Sequence, residues 1–141
     1  MANAHVVRRV DVALPVVWAT VADHRDMANW GPGVTVTMER DGADDPNGVG
    51  AIRDIKFPGP GPRIREEITA FEPEHRLAYR ALSGTPFKDW QGEIEIAEHQ
   101  GGTAIKWSLS CRSPLPGTDL ILRAAATAMV TALARSAKKR A

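Results

Sequence analysis

Apolar and polar positions along this chain recur with two periods, and the changes between them mark out its elements. The clearest stretch runs from Thr103 to Cys111: Ile105, Trp107, Leu109 and Cys111 share one side, and Lys106, Ser108 and Ser110 the other. One apolar and one wet face is the pattern of an antiparallel strand in a sheet covered on a single side. Val34–Arg40, Ala51–Phe57, Arg63–Phe71, Arg76–Leu82 and Phe87–Ile96 also read as strands. Between them lie Asp41–Gly50, Pro58–Pro62, Glu72–His75, Gly84 and Gln100–Gly102, stretches whose Gly, Pro, Asn and Asp content marks turns. His5–Ala13 is a Val-rich strand with Val6, Arg8, Val10 and Val12 on one face and Val7, Arg9, Asp11 and Ala13 on the other. Its inward side is left open.

The helical period appears three times. Pro15 suits a first helical turn, where its missing N–H costs nothing, and Val17, Trp18 and Val21 follow at helical spacing. Asp26–Trp30 reads as a second short turn ended by Gly31. From Leu120 to Arg135 no Gly or Pro intervenes, and Leu122, Ala126, Met129 and Leu133 stack on one face. Thr118 or Asp119 is the expected N-cap, and Arg135, Lys138, Lys139 and Arg140 suit the carbonyl end of the dipole. The order is strand, two short helices, six strands in meander, one long helix. This predicts an α+β fold in which a seven-stranded antiparallel sheet wraps the C-terminal helix. A twisted sheet has a concave face wider than one helix can fill, and Ala124, Ala125 and Ala126 leave further space, so a cavity is expected between them.

Composition bounds the function without choosing it. With 141 residues, 43% hydrophobic and 25% charged, the chain reads as one globular domain spanning 1–141. A formal net charge of +1 provides no field for nucleic acid. No uncharged stretch is long enough for a bilayer span, and no basic, then apolar, leader opens the chain; a cytoplasmic protein without stable membrane insertion is expected. Monomer and homodimer are equally compatible with the sequence. The single Cys111 excludes an internal disulfide and reads as a small buried hydrophobe.

Phosphate loops, nucleophile elbows and His-Glu-x-x-His are absent from the sequence. His5, His24, His75 and His99 are scattered. Asp23, His24 and Asp26 form a polar run whose neighbours point apart on a helix, so a solvated turn is expected there rather than a metal site. No metal or cofactor is expected. Trp30, Phe57, Tyr79, Trp90, Trp107, Met129 and Leu133 are the large or soft residues suited to line an apolar pocket. Glu66 shares parity with Ile64 and Ile68; in the opposite register Glu67 turns inward beside Thr69 and Phe71. An inward carboxylate needs a partner, with Arg53, Tyr79 or a ligand in reach, which makes Tyr79, Glu66 and Arg53 the candidate catalytic groups.

Four features together resemble the START/Bet v 1-like superfamily, and within it the polyketide cyclase/dehydrase-like branch. They are the opening Val10-Asp-Val-Ala-Leu-Pro-Val-Val-Trp18, the Met27-Ala-Asn-Trp30 turn, the Arg65–Tyr79 hairpin with its Pro-Glu-His-Arg-Leu-Ala-Tyr, and the long last helix. The resemblance extends over nearly the whole chain. It implies a helix-grip fold with an internal pocket for a hydrophobic small molecule, lipid-like or polyketide-like. It also admits a polyketide cyclase, aromatase or dehydratase using the same pocket, or a protein-interaction module with a filled core.

Overall fold

In the computed structural model, which describes residues 1–31 and 33–141, seven strands form one antiparallel sheet. They are β1 (Ala2–Val10), β2 (Thr35–Arg40), β3 (Ile52–Lys56), β4 (Ile64–Glu72), β5 (Arg76–Ser83), β6 (Lys88–His99) and β7 (Gly102–Arg112). The order across the sheet is β1-β7-β6-β5-β4-β3-β2. Sequential hairpins account for β2 through β7, and β1 closes the far edge against β7. Helix α1 (Leu14–Ala22), a 3-10 turn (His24–Asp26) and α2 (Met27–Trp30) follow β1, and α3 (Thr118–Arg140) ends the chain. This is the helix-grip arrangement expected from the order of elements.

Helix α1 begins with Pro15 in its first turn, as expected. In β1 the inward side is the even one, since Ala2 and Val10 are buried whereas Val7 is 61% exposed. Its register explains the choice: Val6 lies opposite Trp107 and Ala4 opposite Leu109, both on the apolar face of β7.

The start of α3 differs from expectation. Gly117 occupies the N-cap position in the left-handed region, φ 85°, with no side-chain cap. Thr118 instead donates its hydroxyl to the Leu115 carbonyl at 2.9 Å. Asp119 accepts the Asn3 backbone N–H at 2.8 Å. The carboxylate that local rules assign to the helix's own amides is thus used to fasten α3 to the edge strand. Arg140 fastens the other end, donating to Asp26 Oδ2 at 2.6 Å.

Helix α3 lies against β1, β7, α1 and α2. Leu122, Ala126, Val130, Leu133, Ala134 and Ala137 are each no more than 1% exposed along that contact. Of the three alanines expected to leave space, Ala126 is sealed, Ala125 is half-buried and Ala124 faces outward. By length and composition α3 is also apolar enough to cross a bilayer, but here a full face of it is spent on the sheet and α1.

One glycine sets how closely the sheet's inner face is filled. Gly92 lies opposite Tyr79, and a Cβ at that position would fall inside the Tyr79 ring. A Gly92→Ala substitution therefore has to displace the phenol, and overpacking of this kind costs about 1–3 kcal/mol. The expected outcome is a lower urea midpoint at unchanged m-value, with near-ultraviolet circular dichroism reporting the shifted aromatic cluster.

Candidate functional site

Directly opposite residues in an antiparallel pair point to the same side, so the register fixes what faces inward. Met38, Arg53, Glu66 and Ala81 form one inward row across β2 to β5. The adjacent row is Ile68, Tyr79, Gly92 and Leu109, across β4 to β7. An arginine and a glutamate thus sit among apolar side chains, 3% and 6% exposed. Glu67 faces outward, where it holds Arg40 at 3.0 Å and Arg80 at 2.7 Å. The choice of parity left open by the sequence is resolved for Glu66.

The two charges satisfy each other. Arg53 Nη2 lies 2.8 Å from Glu66 Oε1, and Arg53 Nε donates to the same oxygen at 2.9 Å. Both donors converge on Oε1. Among the described residues Oε2 has no hydrogen-bond partner, nor is it one of the sealed and unpaired side-chain atoms. It is therefore not fully sealed, on a side chain that is 8% exposed.

Arg53 also reaches back to the helical side. Its Nη1 lies 3.2 Å from His24 Nδ1, while His24 Nε2 is 2.7 Å from the Asn47 carbonyl. Guanidinium can only donate, so Nδ1 must accept and Nε2 must carry the proton given to Asn47. The imidazole is consequently neutral. Burial, reinforced by the facing Arg53 charge, pushes its pKa down from 6.5 to about 3. The solvated turn expected at Asp23–Asp26 is thus corrected at its central residue: His24 is 0% exposed. The signal was present in the sequence. Val17, Val21, His24, Met27 and Trp30 recur every three or four residues, so the buried helical stripe continues straight through the polar run.

Tyr79 lies under Arg53, whose guanidinium carbon is 4.9 Å from the ring centroid, within cation–π reach. The phenol oxygen accepts from Trp107 Nε1 at 3.2 Å. Burial first, then the nearby Glu66 charge, holds the Tyr79 proton far more tightly than in water. Trp107 in turn meets Trp30 edge to face, centroids 6.3 Å apart. His24, Arg53, Glu66, Tyr79, Trp107 and Trp30 are therefore one contiguous set. Cys111 is buried and its thiol is pushed up by desolvation, so it stays protonated. Among the described residues no three His, Cys, Asp or Glu side chains converge as a metal cage would require.

The expected pocket residues divide between core and rim. Trp30, Tyr79, Trp107 and Leu133 belong to the buried core. Trp90 and Met129 are half-buried against it, and Phe57, just past β3, is 37% exposed. The inward-facing Val36, Met38, Ile64 and Ala81 are also half-buried. The part of α3 seated on the sheet is closed, and the half-buried inward residues lie toward the β2–β5 end of the concave face. A recess of about 450 Å³ at the β5–β6 hairpin, lined by Ala81, Leu82, Phe87 and Trp90 among others, opens at this end. The recess of about 430 Å³ on the convex face is lined mainly by outward polar groups such as His5, Arg76, Gln91 and Glu93.

Over residues 1–141 the chain matches the family described as polyketide cyclase/dehydrase and lipid transport. The chain belongs to that family. A START superfamily protein from Mycobacterium smegmatis aligns over 100% of both chains at a TM-score of 0.83 and 12% identity. Ara h 8.0201 aligns over 97% of each chain at 0.75 and 15%. DynU16, a protein in the dynemicin biosynthetic locus, aligns over 96% of this chain at 0.75 and 22%; this chain spans only 46% of that one. At these identities the likenesses speak to the fold. No functionally curated protein matches the sequence.

The neutral His24 gives the family fold here a pH signature. The unfolded chain protonates this imidazole near pH 6.5, whereas the folded chain holds it neutral down to about pH 3. Between those values the unfolded state binds more protons. The contribution is complete above pH 6.5 and declines as pH falls, by at most about 1.4 kcal/mol per unit. Urea midpoints at pH 7, 5.5 and 4.5 are expected to drop more steeply for the native chain than for His24→Gln.

Proposed function

We propose that the chain binds a hydrophobic small molecule, lipid-like or polyketide-like, on the concave face beside α3. The observation that carries this reading is the arrangement around the Arg53–Glu66 pair. Half-buried apolar side chains, Val36, Met38, Ile64 and Ala81, share the inner face of β2 to β5 with this small polar pair. Apolar walls with few placed polar atoms are the composition of ligand pockets, in which apolar area supplies affinity and the polar atoms fix orientation. Phe57, the Pro58–Pro62 segment and the β5–β6 hairpin would form the mouth. Family membership supports the same reading, since the family's description joins cyclase/dehydrase activity to lipid transport. The whole of residues 1–141 would act as one ligand-binding domain.

A second reading has a specific observation behind it. Glu66 Oε2 is unpaired and not fully sealed, and Tyr79 holds its proton firmly. On a poly-β-carbonyl chain, Oε2 would remove the proton between two carbonyls while Tyr79 O–H hydrogen-bonds the oxygen on which negative charge develops. The new enolate carbon would then attack a second carbonyl in cyclisation, the proton taken up by Oε2 passing to the alkoxide so formed. Loss of that hydroxyl with an adjacent α-proton as water would give the dehydrated product. Incubation with a poly-β-carbonyl thioester mimic, followed by mass spectrometry, tests this. Cyclised or dehydrated product is expected from the native chain and none above background from Glu66→Gln; product from both would remove Glu66 from the chemistry.

For binding itself, native mass spectrometry of protein purified from its own host is expected to reveal a bound small molecule. Ala125 lies on the half-buried flank of α3, facing the open side rather than the sealed seam. Leu at this position should fill ligand space and weaken binding by about tenfold, roughly 1.4 kcal/mol, with the melting temperature nearly unchanged. Failure of extracts and of a lipid and polyketide panel to yield any bound species or thermal shift would overturn the binder.

A further inference from the structure

Among the described residues, one buried side-chain polar atom has no hydrogen-bond partner, and it is Trp30 Nε1. Buried polar groups are paired in the large majority of cases, so an orphan of this kind calls for an explanation. Indole N–H is a donor only, which limits the missing partner to an acceptor. Trp30 is 8% exposed and sits on α2, a helix of only four residues. Its ring meets Trp107 edge to face, and the Trp107 N–H already has its acceptor in the Tyr79 oxygen. The two indoles of this pair are therefore not equivalent: one donor is used within the protein and the other is left over.

Resting on the ligand-binding reading above, we infer that the ligand carries a neutral oxygen acceptor, a ketone or similar carbonyl, which takes the Trp30 Nε1–H. The charge balance selects neutral over anionic. Arg53, the cation buried in this cluster, gives its Nε and Nη2 to Glu66 and its Nη1 to His24. The Arg53 charge is already neutralised by Glu66, so a carboxylate entering this cluster would lose its water with no net positive charge to meet it. A carbonyl loses less water and needs one good donor. His24 is neutral and its N–H is held by Asn47, so it adds no positive charge. The ligand class is then an apolar, carbonyl-bearing skeleton rather than a free fatty acid. The nitrogen has no accessible surface, so the acceptor reaches it as Trp30 and its short helix shift.

The experiment uses two probes of matched shape, 2-acetylnaphthalene and 2-ethylnaphthalene, with 2-naphthoate as the anionic arm. Native protein is expected to bind the acetyl probe tighter than the ethyl probe by roughly three- to tenfold, the range of one net hydrogen bond. The naphthoate should bind more weakly than the acetyl probe. Trp30→Phe should erase the acetyl preference, bringing the ratio of acetyl to ethyl affinity to about one. Trp30→benzothienylalanine, which replaces N–H by sulfur at nearly constant shape, does the same without the change in ring volume. In the native chain the Trp30 indole ¹H resonance should move downfield with the acetyl probe and not with the ethyl probe. Equal native affinities for the two, or an acetyl preference that survives in both variants, overturns the inference alone; a buried water holding the N–H would give that result. Naphthoate binding as tightly as the acetyl probe overturns the choice of a neutral group. If none of the three probes binds the native chain, the ligand-binding reading falls with it.

Discussion

The contact between Arg53 and Glu66 ties the inner face of the sheet to the helical segment that follows β1. It joins β3 to β4 across the sheet's inner face, and through Nη1 it joins that face to His24 in the turn after α1. A guanidinium taken this far out of water is costly unless its donors are met. Three of its nitrogens are met by two partners of different kinds, a carboxylate and a neutral imidazole. Removing either charge alone would leave the other buried, a loss of about 3–5 kcal/mol, whereas exchanging both for apolar groups could be nearly neutral. The pair is therefore poor evidence for stability as such. Its consequence is placement. A one-residue slip of β4 would turn Glu66 outward and leave Arg53 alone inside, so the pair excludes the alternative register more strongly than the apolar residues around it.

Tyr79 shows how placement propagates. The absence of a side chain at Gly92 lets the phenol lie flat against the sheet, and there it supports the Arg53 guanidinium on its face and the Trp107 N–H at its oxygen. Trp107 then carries Trp30, and Trp30 carries α2. The path runs from sheet to short helix through aromatic contacts, and it ends at an N–H with no acceptor. The opposite end of α2 is held through Asp26 by Arg140, the last residue of α3. Both long-range ties on this segment thus come from side chains that are charged or polar, set on an apolar base.

Much of the fold was legible because its signals are periodic. Ile105 to Cys111 alternate, Leu122 to Leu133 repeat at helical spacing, and the turn segments are rich in Gly and Pro. The described strands and helices fall near where those patterns put them, except that β1 runs Ala2–Val10, three residues before the expected His5–Ala13. What failed to show depended on partners distant in sequence. Asp119 looks like an N-cap because local rules see only its own helix, but its acceptor serves Asn3, 116 positions away. His24 looks solvated because Asp23, Arg25 and Asp26 surround it, yet Asp23 and Arg25 turn outward and His24 in. Glu66 and Glu67 are adjacent and chemically identical; only the strands on either side, with Arg53 on one face and Arg40 and Arg80 on the other, separate them.

The same distinction governs the site. Side-chain size in Trp30, Trp90 and Trp107 marks them as pocket candidates equally, and size cannot tell a wall from a core. Their polar edges can. Trp107 has its N–H satisfied inside the protein and behaves as structure. Trp30 does not; its Nε1–H is buried with no acceptor among the described residues. A filled apolar core would select no ligand at all, and an open apolar cleft would select only by shape, which discriminates weakly. In the proposed ligand site, one leftover donor and one leftover acceptor, on opposite ends of a cluster otherwise neutralised from within, would add selection by chemistry. Unmet capacity, rather than cavity size, is what sets this concave face apart from the polar recess on the convex side.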